Sequence, residues 1–155
     1  NGDRTQDNKW EQGINDEFEK YYIEFCGRNG IEYHTVIGYR QVSWYQSEGE
    51  QYAPGPHTDV TKPRTGLDIQ ALSDYARSKG VKLRFWVHWQ ALYPKLDSAF
   101  AIFERWGIEG MMVDFLDRDD QEMVKIQEEI LQKGAVHHLE LQFHGAYKQT
   151  GLSRT

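Results

Sequence analysis

Residues 108–115 read IEGMMVDF, an apolar run that ends on a carboxylate, and two other stretches share its design. Residues 81–89 read VKLRFWVHW and residues 139–145 read LELQFHG. Side chains alternate across a strand. One face of the first stretch therefore carries Leu83, Phe85, Val87 and Trp89, and the other carries Arg84, Trp86 and His88. The same parity separates Met111, Val113 and Phe115 from Met112 and Asp114, and Leu139, Leu141 and Phe143 from Glu140, Gln142 and His144. One face of each strand is apolar. The other is polar, increasingly so towards the C-terminal end. A doubly wound sheet is covered by helices on both faces and would show continuous apolar strands. A polar inner face suits a (β/α) barrel of the TIM type, whose interior opens into a site at the C-terminal ends of the strands.

Working outward, each strand follows an amphipathic helix closed by a glycine. Residues 15–30, NDEFEKYYIEFCGRNG, put Phe18, Tyr21, Tyr22 and Phe25 on one helical face, with Asn15 as N-cap and Gly30 as the stop. A strand is predicted in IEYHTVI, residues 31–37. The next helix spans DIQALSDYARSKG, residues 68–80, with Ile69, Leu72 and Ala76 inward and Gly80 as its end. A third runs from about Leu96 to Trp106, with Leu96, Ala99, Phe100 and Phe103 on one face and Gly107 closing it. The fourth, residues 121–134, aligns Met123, Ile126 and Ile130 and is expected to stop at Gly134. Gly80, Gly107 and Gly134 recur at intervals of 27 residues, the length of one helix and strand. A loop over residues 38–66, holding three of the four prolines, is inserted after the first strand. The expectation is a single α/β domain over residues 1–155: about four strands and four helices of an eight-fold barrel that takes roughly 250 residues when whole.

Composition narrows the partners. The 155 residues include 18 Lys and Arg against 24 Asp and Glu, a net charge of −6, with 39% hydrophobic and 27% charged residues. That mixture is globular. An acidic chain without a Lys/Arg cluster argues against nucleic acid. No apolar run approaches the roughly 18 residues of a membrane span, and the polar start NGDRTQDNKW reads as no signal peptide. The one cysteine, Cys26, has no disulfide partner and is expected to be a buried packing residue on the first helix.

Three polar side chains end three successive strands: His88, Asp114 and His144. In a barrel they converge on one mouth, where catalytic residues come from several strand ends. Asp114 stands out because an apolar run delivers its carboxylate there. The plainer alternatives are a loop cap or an Arg partner for Asp114, and hydrogen-bonded interior imidazoles for the two histidines. Asp117 and Arg118 lie in the following loop and are candidates for contacting a ligand, whereas Asp119 and Asp120 suit a helix N-terminus. Trp86, Trp89 and Tyr147 read first as packing, although Trp89 near the mouth could stack on a sugar ring. From the residues alone, a metal-dependent hydrolase with His88, Asp114 and His144 as ligands ranks beside a carboxylate enzyme.

The stretches at residues 61–89, 106–124 (WGIEGMMVDFLDRDDQEMV) and 143–155 (FHGAYKQTGLSRT) resemble the catalytic barrel of glycoside hydrolase family 97. The resemblance runs from about Asp16 to Thr155. It implies an exo-acting α-galactosidase or α-glucosidase acting on α-linked oligosaccharides. Inverting members resemble this sequence but carry Gly where Asp114 stands and Glu where Gly145 stands. The pattern here is similar to the retaining, α-galactosidase-like branch and implies Asp114 as nucleophile. His88, Trp89, Asp117, Arg118, His144 and Lys148 would then hold the sugar hydroxyls. The resemblance also implies calcium, with ligands mostly outside this chain, a periplasmic or secreted location, and a general acid/base residue beyond Thr155. A half-barrel with open edges is expected to self-associate. A non-catalytic, glycan-binding half-barrel is the remaining alternative.

Overall fold

The computed structural model describes residues 14–39, 42–50 and 53–147. It opens with α1 (Asp16–Arg28), capped by Asn15, whose Oδ1 accepts the Phe18 N–H at 2.9 Å, and continues into β1 (Tyr33–Val36). The insertion follows. It contains the hairpin β2 (Gly38–Tyr39) and β3 (Val42–Ser43), then β4 (Tyr45–Gln46), the pair β5 (Gly49–Glu50) and β6 (Ala53–Pro54), and β7 (Asp59–Pro63), which returns to β4. The chain then alternates through α2 (Ile69–Ser78), β8 (Lys82–His88), a short α3 (Trp89–Leu92), α4 (Leu96–Arg105), β9 (Gly110–Asp114), α5 (Gln121–Val136) and β10 (Glu140–Phe143).

The main sheet has the order β1-β8-β9-β10, and every pair is parallel. Each strand lies beside the one that follows it, with no reversal of order. A doubly wound sheet must reverse at a switch point; a barrel wall does not. The four strands and their helices are therefore a segment of a (β/α) barrel, as the polar inner face predicts. Leu83, Phe85, Val87, Met111 and Val113 are buried on the helix side with Leu72, Phe100, Phe103, Met123 and Ile130.

Four details depart from the sequence expectations. In α1 the buried positions are Glu19, Ile23 and Cys26, while Phe25 is 46% exposed. The aromatic stripe gives way because Glu19 has a partner: its carboxylate meets His34 Nε2 at 2.5 Å, and Tyr22 stacks on that imidazole. Gly134 does not end α5, which runs on to Val136 with His138 taking the left-handed turn at φ 55°. Gly134 is instead a packing position, since a Cβ there would lie 2.5 Å from Leu141 Cδ1. Trp89 leaves the strand, because His88 caps α3 by accepting the Gln90 N–H on Nδ1 at 3.1 Å. Finally, the insertion is more than a surface loop. It buries Trp44, Tyr45 and Val60, and Trp44 stacks on Phe85 with ring centroids 3.8 Å apart.

Cys26 is buried as expected, beside His34. Burial disfavours a charged imidazole, but contacts with Cys26 and the Glu19 carboxylate outweigh it and raise the His34 pKa to about 9. A pKa raised on folding gives stability that is complete below the unfolded value near 6.5 and is lost as pH rises through the folded value. Unfolding free energy is therefore expected to fall by on the order of 2–3 kcal/mol between pH 6.5 and 9.5. Chemical denaturation at a series of pH values reads this directly, and His34→Gln should flatten the profile.

Candidate active site

The mouth is built by the ends of β8, β9 and β10. In-register pairing sets His88 beside Asp114, and the His144 N–H extends the β10 ladder by donating to Val113 O at 2.9 Å. Asp114 is the focus of the site. Its Oδ2 accepts the Trp86 indole N–H at 2.9 Å; its Oδ1 accepts from His144 Nδ1 at 2.8 Å and from the Phe115 N–H at 2.6 Å. The residue is only 8% exposed. Burial pushes its pKa up, but the donors Trp86, His144 and Phe115 N–H pull harder, and the net shift is downward. Asp114 is thus a largely buried carboxylate held ionised at neutral pH.

Phe115 delivers its N–H by adopting φ 65°, a left-handed conformation that bulky residues rarely occupy. Its ring lies flat on His88, with centroids 5.0 Å apart at 16°, and edge-on to Trp86 at 6.2 Å. Strain of this kind persists only where the surroundings enforce it. Beside the Phe115 N–H and against the same oxygen, Gly145 at φ 53° comes so near that an added Cβ would sit 3.1 Å from Asp114 Oδ1. Glycine here serves both the backbone angle and the close approach.

The remaining candidates divide. Asp117 and Arg118 share a cavity of about 460 Å³ with Gly145 and Tyr147, next to Asp114. Arg118 also grips the first turn of α5: its guanidinium donates to both oxygens of Asp120, at 2.7 and 3.0 Å, and to Glu122 at 2.6 Å. Asp120 is the N-cap of α5, as its position suggested. Trp89 lines a different cavity, of about 450 Å³, with Tyr93, Lys95 and Pro54. Lys148 lies outside the described residues. His88, Asp114 and His144 share one end of the sheet, yet among the described residues no three His, Cys, Asp or Glu side chains form a cluster able to hold a metal.

Sequence reasoning read Trp86 first as packing and Gly145 as a mark of the family branch, and it passed over Phe115. Trp86 carried a usable signal, since strand parity puts it on the inner face with His88. The Phe115 N–H and the missing Cβ of Gly145 are backbone contributions that side-chain chemistry does not announce. Trp86→Phe is expected to raise the pKa of Asp114, because one of its donors is lost while its burial remains. A ¹³C titration of the carboxyl carbon would show the upward shift, and an unchanged midpoint would mean that the indole N–H is a bystander.

The family model for glycoside hydrolase 97 matches residues 1–155. A retaining alpha-galactosidase of Bacteroides thetaiotaomicron is 32% identical over 143 residues, covering 92% of this chain and 20% of that protein. A probable retaining alpha-galactosidase of Streptomyces bingchenggensis is 32% identical over 145 residues, covering 88% of this chain and 20% of that protein. The chain thus spans about one fifth of the length of these curated relatives. Among solved structures, a glycoside hydrolase family 97 enzyme from a Pseudoalteromonas species, in complex with acarbose, superposes with a TM-score of 0.79 at 22% identity, over 91% of this chain and 24% of that one. A beta-arabinopyranosidase superposes with a TM-score of 0.69 at 24% identity, over 92% of this chain and 22% of that one. At these identities the superpositions speak for the fold alone.

Proposed function

Because this chain belongs to glycoside hydrolase family 97, we propose that it forms part of the catalytic barrel of a retaining, exo-acting α-glycosidase of the α-galactosidase type, with Asp114 as nucleophile. One observation carries the assignment: a largely buried carboxylate at the C-terminal end of a barrel strand, kept ionised by three convergent donors. A carboxylate has about four lone-pair positions. Two donors occupy Oδ1 and one occupies Oδ2, so Oδ2 keeps the pair available for attack. In the proposed reaction Oδ2 bonds to the anomeric carbon while the glycosidic oxygen departs with a proton from a carboxylic acid about 5 Å away. That acid is supplied from outside the described residues. Water then cleaves the glycosyl ester, giving its proton to the same group, and Asp114 returns as a carboxylate.

Asp117 at the cavity rim and His144 beside the nucleophile are proposed to contact sugar hydroxyls, with His88 shaping the floor beneath Phe115. Trp89 is proposed to meet a more distant sugar, given its separate cavity. Arg118 would need to release Asp120 or Glu122 to take part. Calcium and a periplasmic or secreted location belong to the same proposal through the family. No cluster of three metal-type side chains occurs among the described residues. No helix among them is long and apolar enough to cross a membrane. The test is stereochemical. Proton NMR of an activated α-galactoside during hydrolysis by the intact protein should show the α-anomer forming first. A β-anomer as first product would remove Asp114 from the nucleophile's role.

A further inference from the structure

A second cluster of polar groups lies within the insertion, where Arg64 follows β7 and faces Ser43 of β3 and Tyr45 of β4. The Arg64 N–H donates to Trp44 O at 2.9 Å, and Tyr45 pairs with Pro63, so the backbone holds the three side chains together. They line one cavity of about 340 Å³ with Gln46 and Thr65. Arg64 Nε, Arg64 Nη1, Ser43 Oγ and Tyr45 Oη are all buried, and none has a hydrogen-bond partner among the described residues. Ser43 and Tyr45 are each 1% exposed. The Tyr45 hydroxyl lies near Ser43 and the His88 backbone without reaching hydrogen-bond geometry with either. Burial raises its pKa, which keeps it a proton donor.

Unsatisfied buried polar atoms are rare and each needs a reason. Two nitrogens of the half-buried Arg64 guanidinium are withdrawn from water without a hydrogen bond, and donors of a charged group left unmade are costly. Acids outnumber bases here by 24 to 18, so carboxylates are plentiful, yet among the described residues none pairs with Arg64. The complementarity is specific. A guanidinium has five N–H donors and no acceptor, and the two hydroxyls can both turn their protons inward. Unpaired donors set within the wall of a cavity, closed to water until the wall gives, call for a ligand that only accepts and carries negative charge. We propose that Arg64, Ser43 and Tyr45 form an oxyanion-binding site for a carboxylate or sulfate group. The cavity exceeds the roughly 300 Å³ at which small-molecule sites begin, which favours an anion carried on a larger body, such as an acidic sugar, over a free ion. Through Tyr45 and His88 the site abuts the C-terminal end of β8, the end of the sheet that holds Asp114. The proposal does not depend on the role of Asp114.

Thermal unfolding of the intact protein tests it. Sodium sulfate, sodium galacturonate and uncharged galactose would be titrated at ionic strength matched with sodium chloride. The expected result is a saturable rise in midpoint with sulfate or galacturonate, and weakening of that response by about tenfold or more in Arg64→Leu. Ser43→Ala should weaken it by less. Arg64→Lys should keep part of it, because a point charge remains without the planar fork. Asp114→Ala should leave it unchanged, which separates this site from the one that cleaves sugar. A stronger response to galacturonate assigns the anion to a sugar, and a stronger response to sulfate assigns it to a free ion. General salting-out by sulfate is linear and indifferent to Arg64. A purely linear response, or identical saturation in wild type, Arg64→Leu and Ser43→Ala, overturns the proposal.

Discussion

Asp114→Ala is expected to lower kcat on ordinary α-galactosides by on the order of ten-thousand-fold, equivalent to ~5 kcal/mol of transition-state stabilisation, while the protein stays folded. The side chain faces the mouth, and its removal takes no apolar contact from the helix layer. It does strip an acceptor from Trp86 and His144. The indole N–H is buried and should cost about 1 kcal/mol of stability when left unpaired. Azide can enter the vacated space and attack in place of the carboxylate. An activated substrate, whose leaving group needs little protonation, should then give a glycosyl azide of inverted configuration. Three outcomes are distinguishable by rate and product. Recovery with azide and inversion supports a nucleophile. Near-normal turnover without azide marks Asp114 as a loop cap. A dead enzyme that azide does not rescue means its carboxylate acts in some other way.

The second large effect concerns the insertion. Trp44→Ala is expected to cost about 3–5 kcal/mol, the range for removing a buried aromatic, out of a total stability of ~5–15 kcal/mol for a typical domain. Trp44 is fully buried, stacks on Phe85, meets Phe103 edge-on at 6.0 Å, and donates its indole N–H to Trp86 O at 2.8 Å. That last contact ties the insertion to the residue that holds Asp114. Trp44→Phe keeps most of the ring contact, loses the hydrogen bond, and should cost nearer 1–2 kcal/mol. Urea denaturation of both variants checks the ranking. A loss below about 1 kcal/mol for the alanine variant would make the insertion a dispensable flap.

What could be read in the sequence was local and periodic. Strand parity exposed the polar inner face, and Gly80 and Gly107 closed their helices at φ 71°, each as expected. What escaped was set by partners far along the chain. Phe18, Tyr21, Tyr22 and Phe25 form a convincing helical stripe, yet of the four Phe18 packs against the core while α1 buries Glu19, Ile23 and Cys26, with Glu19 finding His34 fifteen residues away. Gly134 keeps the 27-residue rhythm but answers to Leu141 across the α5–β10 contact instead of to a helix end. Trp89 continues the strand pattern until the His88 side chain caps a new helix. At the site, Asp114 was legible as a carboxylate closing an apolar run. The donors that define its chemistry come from Trp86, 28 residues earlier, and His144, 30 residues later.

The order of the sheet also bears on how the molecule is made. Because each strand docks beside its predecessor, a ribosome releases the wall in the order in which it assembles, and no strand waits for a later one to be inserted before it. Trp86 has already been made when Asp114 emerges, and Phe115 follows at once. His144 arrives 30 residues afterwards, a delay of about 2–6 s at ordinary translation rates. During that interval only two of the three donors to Asp114 have been made, and β10 is not yet there to pair with β9. A chaperone or a pause in synthesis acting on this window would decide how much of the newly made chain reaches the paired state.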